Sequence, residues 1–195
     1  VPSVTVWFEA EKRGTVMAVS RCNIHGLWES EARFKFILKV KALLFGGLSL
    51  VISPLISLMK DQVSALRAAG ISAAFLNSAL APSQMFRVLE SACRGKYSLL
   101  YVAPERLDTE AFQRLAAQVP IPFVAVDEAH CVSQWGQDFR PSYLRIVEFA
   151  ASLPRRPVIG AFTATATTAV KDDIEKLLLL QNQNSEVLQI LYIYL

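Results

Sequence analysis

Two adjacent carboxylates, Asp127 and Glu128, end the apolar run Phe123-Val124-Ala125-Val126, and His130 follows two residues later. The run is bounded by Pro120 and Pro122 on one side and by charge on the other, which suits a short, fully buried strand. Acids at the carboxyl end of such a strand stand at the open edge of an α/β sheet, where ligands bind. Asp127 could hold Mg²⁺, a hard cation that prefers carboxylate, water and phosphate oxygens. Glu128 could polarise a water for attack on a γ-phosphate, a task made mostly of positioning and charge stabilisation. His130 lies close enough to sense the same phosphate. A pair of acids merely solvated at a strand end would read the same way, so the residues that follow decide.

Those residues are Trp135, Gly136, Phe139 and Arg140. They are too apolar for an ordinary solvent loop and too irregularly spaced for an amphipathic helix. Exposed aromatics beside an arginine suit single-stranded nucleic acid, because every base offers a π-face and a guanidinium can stack or take a phosphate. The alternative is that both rings plug a core. A metal-nucleotide site joined to a base-stacking loop is the chemistry this stretch could support.

The elements that must position these groups alternate as in a doubly wound sheet. Strands are predicted over 48–52, 71–76, 97–102, 123–126 and 157–162, and helices over 55–69, 82–93, 109–119, 141–151 and 167–180. Gly70 and Gly95 close the first two helices, and Thr167 is a natural N-cap for the last. The strand ends then place Ser53, Ala103-Pro104-Glu105, Asp127 and Thr163 along one edge of the sheet.

Composition bounds the reading. With 195 residues, 53% hydrophobic and 19% charged, the chain can bury one good core. A net charge of +3 is too small for a global basic field, so nucleic-acid affinity would have to come from a local groove. Cys22, Cys93 and Cys131 lack any paired spacing for zinc and read as reduced thiols. Residues 42–59 carry no charge, but Gly46, Gly47 and Pro54 divide them into a turn, a strand and a helix start, which argues against a membrane span.

The segment from Asp127 to Tyr143 resembles motif II and the aromatic-rich loop of RecQ-family DNA helicases, superfamily-2 motors that move 3′ to 5′ along single-stranded DNA using ATP. Ser53-Pro54-Leu55-Ile56-Ser57-Leu58-Met59-Lys60-Asp61-Gln62 resembles their motif Ia. Tyr101-Val102-Ala103-Pro104-Glu105-Arg106-Leu107 is similar to their next DNA-side motif, and Phe162-Thr163-Ala164-Thr165-Ala166-Thr167 to their motif III. Four blocks in register are far more specific than any one of them. The match covers 42–180 and leaves 1–41 and an apolar tail, 181–195, unmatched.

The resemblance implies an incomplete RecA-like lobe of the P-loop NTPase type, a doubly wound, mostly parallel sheet with helices on both faces. It implies ATP and Mg²⁺ as cofactors, single-stranded and forked DNA as partners, and a second helicase lobe in a full-length parent. The compartment would be the cytoplasm beside a bacterial nucleoid, or a eukaryotic nucleus. Asp127, Glu128 and His130 would be catalytic, with Asp127 holding Mg²⁺ through the nucleotide. Ser53, Pro54 and Lys60, with Pro104, Glu105 and Arg106, would meet DNA phosphates, contacts that position a strand without reading its sequence. Thr163 and Thr165 would couple the nucleotide state to the DNA groove, and Trp135, Phe139 and Arg140 would sense DNA.

The chain also departs from that pattern. Gln137 stands where the family's usual residue is histidine. A phosphate-wrapping loop, Gly-x-x-x-x-Gly-Lys-Ser or -Thr, belongs just upstream of Ala42, where the sequence instead reads Phe34-Lys35-Phe36-Ile37-Leu38-Lys39-Val40-Lys41. The sequence after Leu180 does not lead into a second lobe, although Val187 to Leu195 could form one more strand. These departures predict a fragment of a first motor lobe, or alternatively a catalytically inactive remnant or weak single-strand-binding module. Two stacking aromatics offer about 2 to 6 kcal/mol, and about 4 kcal/mol corresponds to a millimolar dissociation constant, so weak DNA binding is expected.

Overall fold

The apolar runs pair side by side into one parallel sheet. A computed structural model describes residues 46–134, 138–163, 167–178 and 190–193. Its strands are β1 (Ser49–Ile52), β2 (Ala73–Leu76), β3 (Leu99–Val102), β4 (Phe123–Val126), β5 (Val158–Thr163) and β6 (Ile190–Ile193). They lie in the order β2-β3-β1-β4-β5-β6, and every pairing is parallel. The helices are α1 (Ile56–Ala68), α2 (Pro82–Cys93), α3 (Glu110–Gln118), α4 (Arg145–Ser152) and α5 (Thr168–Leu177). This is the α/β architecture expected from the sequence, and Ile190–Ile193 forms the further strand that the apolar tail allowed. The expectations for 1–41, Trp135, Gln137 and Thr165 lie outside the described residues.

Parallel strands covered on both faces must be apolar on both. Every residue of β1, β3 and β4 is buried, and alternate side chains feed two separate cores. Leu50, Ile52, Leu100, Val102, Val124 and Val126 face one way, against Ala92 of α2, Phe112 of α3, Phe149 of α4 and Ile174 of α5. The Phe112 and Phe149 rings meet at 5.6 Å between centroids and fasten α3 to α4. Val51, Leu99, Tyr101, Phe123 and Ala125 face the other way, together with Met59, Val63 and Leu66 of α1.

Two strands begin two residues later than the apolar pattern suggests, and helix capping is the reason. Gly70, at φ +80°, ends α1, and the Ile71 N–H reaches back to the Leu66 carbonyl, so Ile71 serves the helix. Gly95, at φ +70°, does the same for α2, with the Lys96 N–H on the Ser91 carbonyl. The helix expected over 141–151 is split into a single 3-10 turn, Pro141–Tyr143, and α4. The tighter winding serves Tyr143, whose buried hydroxyl is tied beneath β4.

Gly47 opens β1 and has no substitute. Its φ is +87°, and a Cβ there would stand 2.8 Å from the Pro120 carbonyl oxygen, the same oxygen that accepts the Leu48 N–H. The close approach aligns β1 with β4, pairing Ile52 with Val126.

Candidate active site

The register brings the strand ends level: Leu76 pairs with Val102, Val102 with Ile52, Ile52 with Val126 and Val126 with Ala161. Ser53, Asn77, Ala103 and Asp127 therefore follow at one height, and β5 runs on to Thr163. The Asp127 N–H donates to the Ile52 carbonyl at 2.9 Å, which extends the ladder to the acid itself.

The Asp127 carboxylate is held at both oxygens. The Ser53 hydroxyl donates to Oδ2 at 3.0 Å and the Glu128 N–H donates to Oδ1 at 3.0 Å. Burial, followed by the neighbouring Glu128 charge, pushes its pKa up to about 6, against the opposing pull of those two hydrogen bonds. Below the acid, the Tyr143 hydroxyl donates to the Asp127 carbonyl at 2.9 Å. Burial keeps the pKa of that phenol well above its ordinary value, so it remains a donor.

Glu128 adopts φ 49°, ψ 48°, the left-handed region, and is the one non-glycine residue with positive φ among the described residues. Such a conformation costs on the order of 1–2 kcal/mol in an L-residue and turns the chain sharply after the strand. A short 3-10 turn, Ala129–Val132, follows, and it carries His130 back beside the acid. Glu128 Oε2 stands 3.3 Å from His130 Nδ1, and the same nitrogen lies 2.8 Å from Thr163 Oγ1. A proton on Nδ1 can serve either acceptor. Glu128, His130 and Thr163 thus form a polar chain from the end of β4 to the end of β5.

The loop that follows is anchored at both ends. The buried Ser133 hydroxyl donates to Asp173 of α5 at 2.7 Å, and the Arg140 N–H donates to the Cys131 carbonyl at 2.9 Å. The Arg140 guanidinium donates through Nε and Nη2 to Asp138 Oδ2, at 3.1 and 2.7 Å, and holds that carboxyl below its usual range. Burial, with Asp138 next in effect, pushes the Cys131 thiol up to about 12, which leaves it an unreactive core residue. Phe139 is half-buried, and Trp135 lies outside the described residues.

The remaining candidates lie along the same edge. Ser53 is fully buried and its hydroxyl is engaged with Asp127, so its side chain positions the acid and is not exposed to an outside ligand. Pro54 is half-buried, and Lys60 is exposed near the start of α1. Pro104 is buried in a 3-10 turn, Pro104–Arg106, that leaves Glu105 exposed. Arg106 is half-buried, with a buried Nε that makes no hydrogen bond. Arg145, at the start of α4, pairs with Asp108 just beyond that turn. Thr165 is not among the described residues.

Sequence reasoning passed over Tyr143, the Ser133–Asp173 pair and Asn77. Asn77 is buried after β2, where its amide oxygen accepts the Ala79 N–H at 3.1 Å. The same strand-end rule that singled out Ser53 and Asp127 would have found it. A tyrosine seated in an apolar helix pattern gives no comparable signal.

In sequence and fold the chain is similar to known proteins. The family model described as DEAD/DEAH box helicase matches residues 32–173, and one described as Desulfoferrodoxin matches residues 1–31. The chain is 50% identical over 147 residues to the ATP-dependent DNA helicase RecQ of Bacillus subtilis, covering 75% of this chain and 25% of that protein. It is 49% identical over 144 residues to the RecQ helicase of Haemophilus influenzae, covering 74% and 23%. With the ATP-dependent DNA helicase Q-like 4B of Arabidopsis thaliana it shares 38% identity over 183 residues, 90% of this chain and 16% of that one. The chain thus spans about a quarter or less of the length of these relatives. Among solved structures, the Hef helicase domain of Pyrococcus furiosus superposes with a TM-score of 0.56 at 12% identity, over 81% of this chain and 32% of that one. The C-terminal domain of the DEAD-box protein Dbp5 superposes with a TM-score of 0.54 at 10% identity, over 83% of each chain, a likeness of fold alone. The chain belongs to the DEAD/DEAH box helicase family, and its resemblance within that family is to the RecQ helicases.

Proposed function

We propose that this chain is the first RecA-like lobe of an ATP-dependent DNA helicase that moves 3′ to 5′ on single-stranded and forked DNA. The observation that carries the reading is the Asp127–Glu128 pair at the carboxyl end of a central parallel strand, linked by hydrogen bonds to Ser53 on one side and by His130 to Thr163 on the other. Asp127 suits Mg²⁺: both its oxygens are already oriented, by hydrogen bonds from the Ser53 hydroxyl and the Glu128 N–H. One carboxylate with water and phosphate oxygens is how proteins commonly hold this ion. Bound there, Mg²⁺ would neutralise charge on the phosphate oxygens of ATP. Glu128 would orient the attacking water and take its proton, with His130 steadying the carboxylate. Thr163, at the far end of the same chain, would carry the state of the site to β5 and α5.

On the DNA side, the exposed Lys60 and the half-buried Arg106 would offer positive charge to phosphates beside the backbone at Pro54 and Pro104, with Glu105 at the rim. Arg140 would contact DNA by leaving Asp138, and Trp135 and Phe139 would stack on bases. The second lobe expected in RecQ-like helicases would supply arginines to the transferring phosphate, worth several powers of ten in rate. The sequence upstream of Ala42, without a Gly-x-x-x-x-Gly-Lys-Ser or -Thr loop, favours a second reading, a catalytically inactive, weak single-strand-binding lobe. ATP hydrolysis measured with and without single-stranded DNA separates the two. DNA-stimulated turnover abolished by Glu128→Gln supports the first, and its absence from the wild-type chain supports the second.

A further inference from the structure

Among the described residues, strand β2 ends the sheet, hydrogen-bonded to β3 alone. The Ser72 and Leu76 carbonyls accept N–H groups of Leu99 and Ala103, so the even-numbered residues turn their backbone groups toward β3. Alternation along a strand then turns those of Ala73 and Phe75 outward. The Ala73 carbonyl confirms this by accepting Nε of Arg67 at 2.7 Å. The N–H and C=O of Phe75 face a groove of roughly 250 Å³ that follows the strand, lined by Arg67, Phe75, Leu80, Gln84, Arg87 and Val88.

The two arginines flank this groove from opposite faces of the sheet. Arg67 ends α1, which packs with Met59 and Val63 on one face, while Arg87 sits on α2, whose Met85, Val88 and Leu89 pack on the other. Arg87 makes no ion pair among the described residues, and the nearest acid on its own helix, Glu90, is taken by Arg94 at 2.7 Å. Arg67 spends one N–H on Ala73 and makes no ion pair among the described residues.

We propose that this edge takes an extended acidic peptide segment of a partner protein as an added strand. Backbone groups of the peptide pair with Phe75, and because side chains alternate across a strand, consecutive acids reach the guanidiniums on the two faces. Val88 and Leu80 offer apolar contact beside them. A nucleic-acid strand matches the charge but not the alternating N–H and C=O pattern.

The test uses the full chain and a fluorescein-labelled peptide of four central glutamates flanked by valines, read by anisotropy. Saturable binding is expected, with Arg87→Glu weakening it roughly tenfold or more. The same peptide N-methylated on its backbone, with its charge intact, is expected to lose binding to a similar degree. A lysine counterpart should not bind, and Glu128→Gln should leave binding unchanged. The proposal is overturned if the acidic peptide does not bind, if the N-methylated peptide binds as well as the parent, or if oligo-dT binding is what Arg87→Glu removes.

Discussion

Replacing Asp127 with asparagine should stabilise the fold at neutral pH while removing its capacity to hold a metal. The carboxyl is raised from 3.8 to about 6, mainly by burial and then by Glu128, a net effect that already includes the hydrogen bonds from Ser53 and the Glu128 N–H. At about 1.4 kcal/mol per pKa unit, ionising this group in the folded state costs on the order of 3 kcal/mol. The sign follows from linkage. A raised folded pKa means that stability is fully present below about 3.8 and is lost as pH rises through about 6. Asparagine never ionises, its carbonyl still accepts the Glu128 N–H, and the Ser53 hydroxyl can turn to accept from its amide. Asp127→Asn should therefore raise Tm at pH 8 by roughly 6–12 °C, taking about 2–4 °C per kcal/mol for a chain of this size. At pH 4 the difference should vanish. Thermal unfolding by circular dichroism at the two pH values reads both quantities. A variant less stable than wild type at pH 8, or a gain equal at both pH values, would refute the reasoning.

Three further outcomes follow from the same geometry. Tyr143→Phe leaves the Asp127 carbonyl without its buried donor, so a loss of about 1–3 kcal/mol is expected from urea unfolding, and an unchanged midpoint would contradict the assignment. Ser53→Ala removes a hydrogen bond that lowers the Asp127 pKa, so NMR titration of that carboxyl should place it higher than in wild type. Trp135→Ala combined with Phe139→Ala should abolish single-strand binding measured by fluorescence anisotropy, and retained affinity would refute the stacking role.

Much of the fold was legible because it rests on local rules. Apolar runs bounded by glycine, proline and charge gave β1 to β5, and Gly70, Gly95 and Thr167 mark the helix ends where they stand in the structure. Strand order was not legible, since β1 pairs with β3 and β4 through contacts far apart in sequence. At the site, the placement of Asp127, Glu128 and Thr163 on one edge followed from strand ends alone. Which atoms meet did not. The left-handed turn at Glu128, which brings its carboxylate within 3.3 Å of His130, has no glycine or asparagine to announce it. The Ser53 bond to Asp127 depends on β1 and β4 being neighbours, and Tyr143 reaches Asp127 from a 3-10 turn where the apolar pattern suggests a helix.

We propose above all that Asp127 marks a metal-nucleotide site. Substituting Mn²⁺ for Mg²⁺ in the presence of ATP and recording paramagnetic line broadening by NMR tests it most directly. The amide signals of Ser53, Glu128, His130 and Thr163 should broaden selectively, and Asp127→Asn should abolish the effect. Broadening centred elsewhere, or unchanged in that variant, would rule out Asp127 as the metal's ligand.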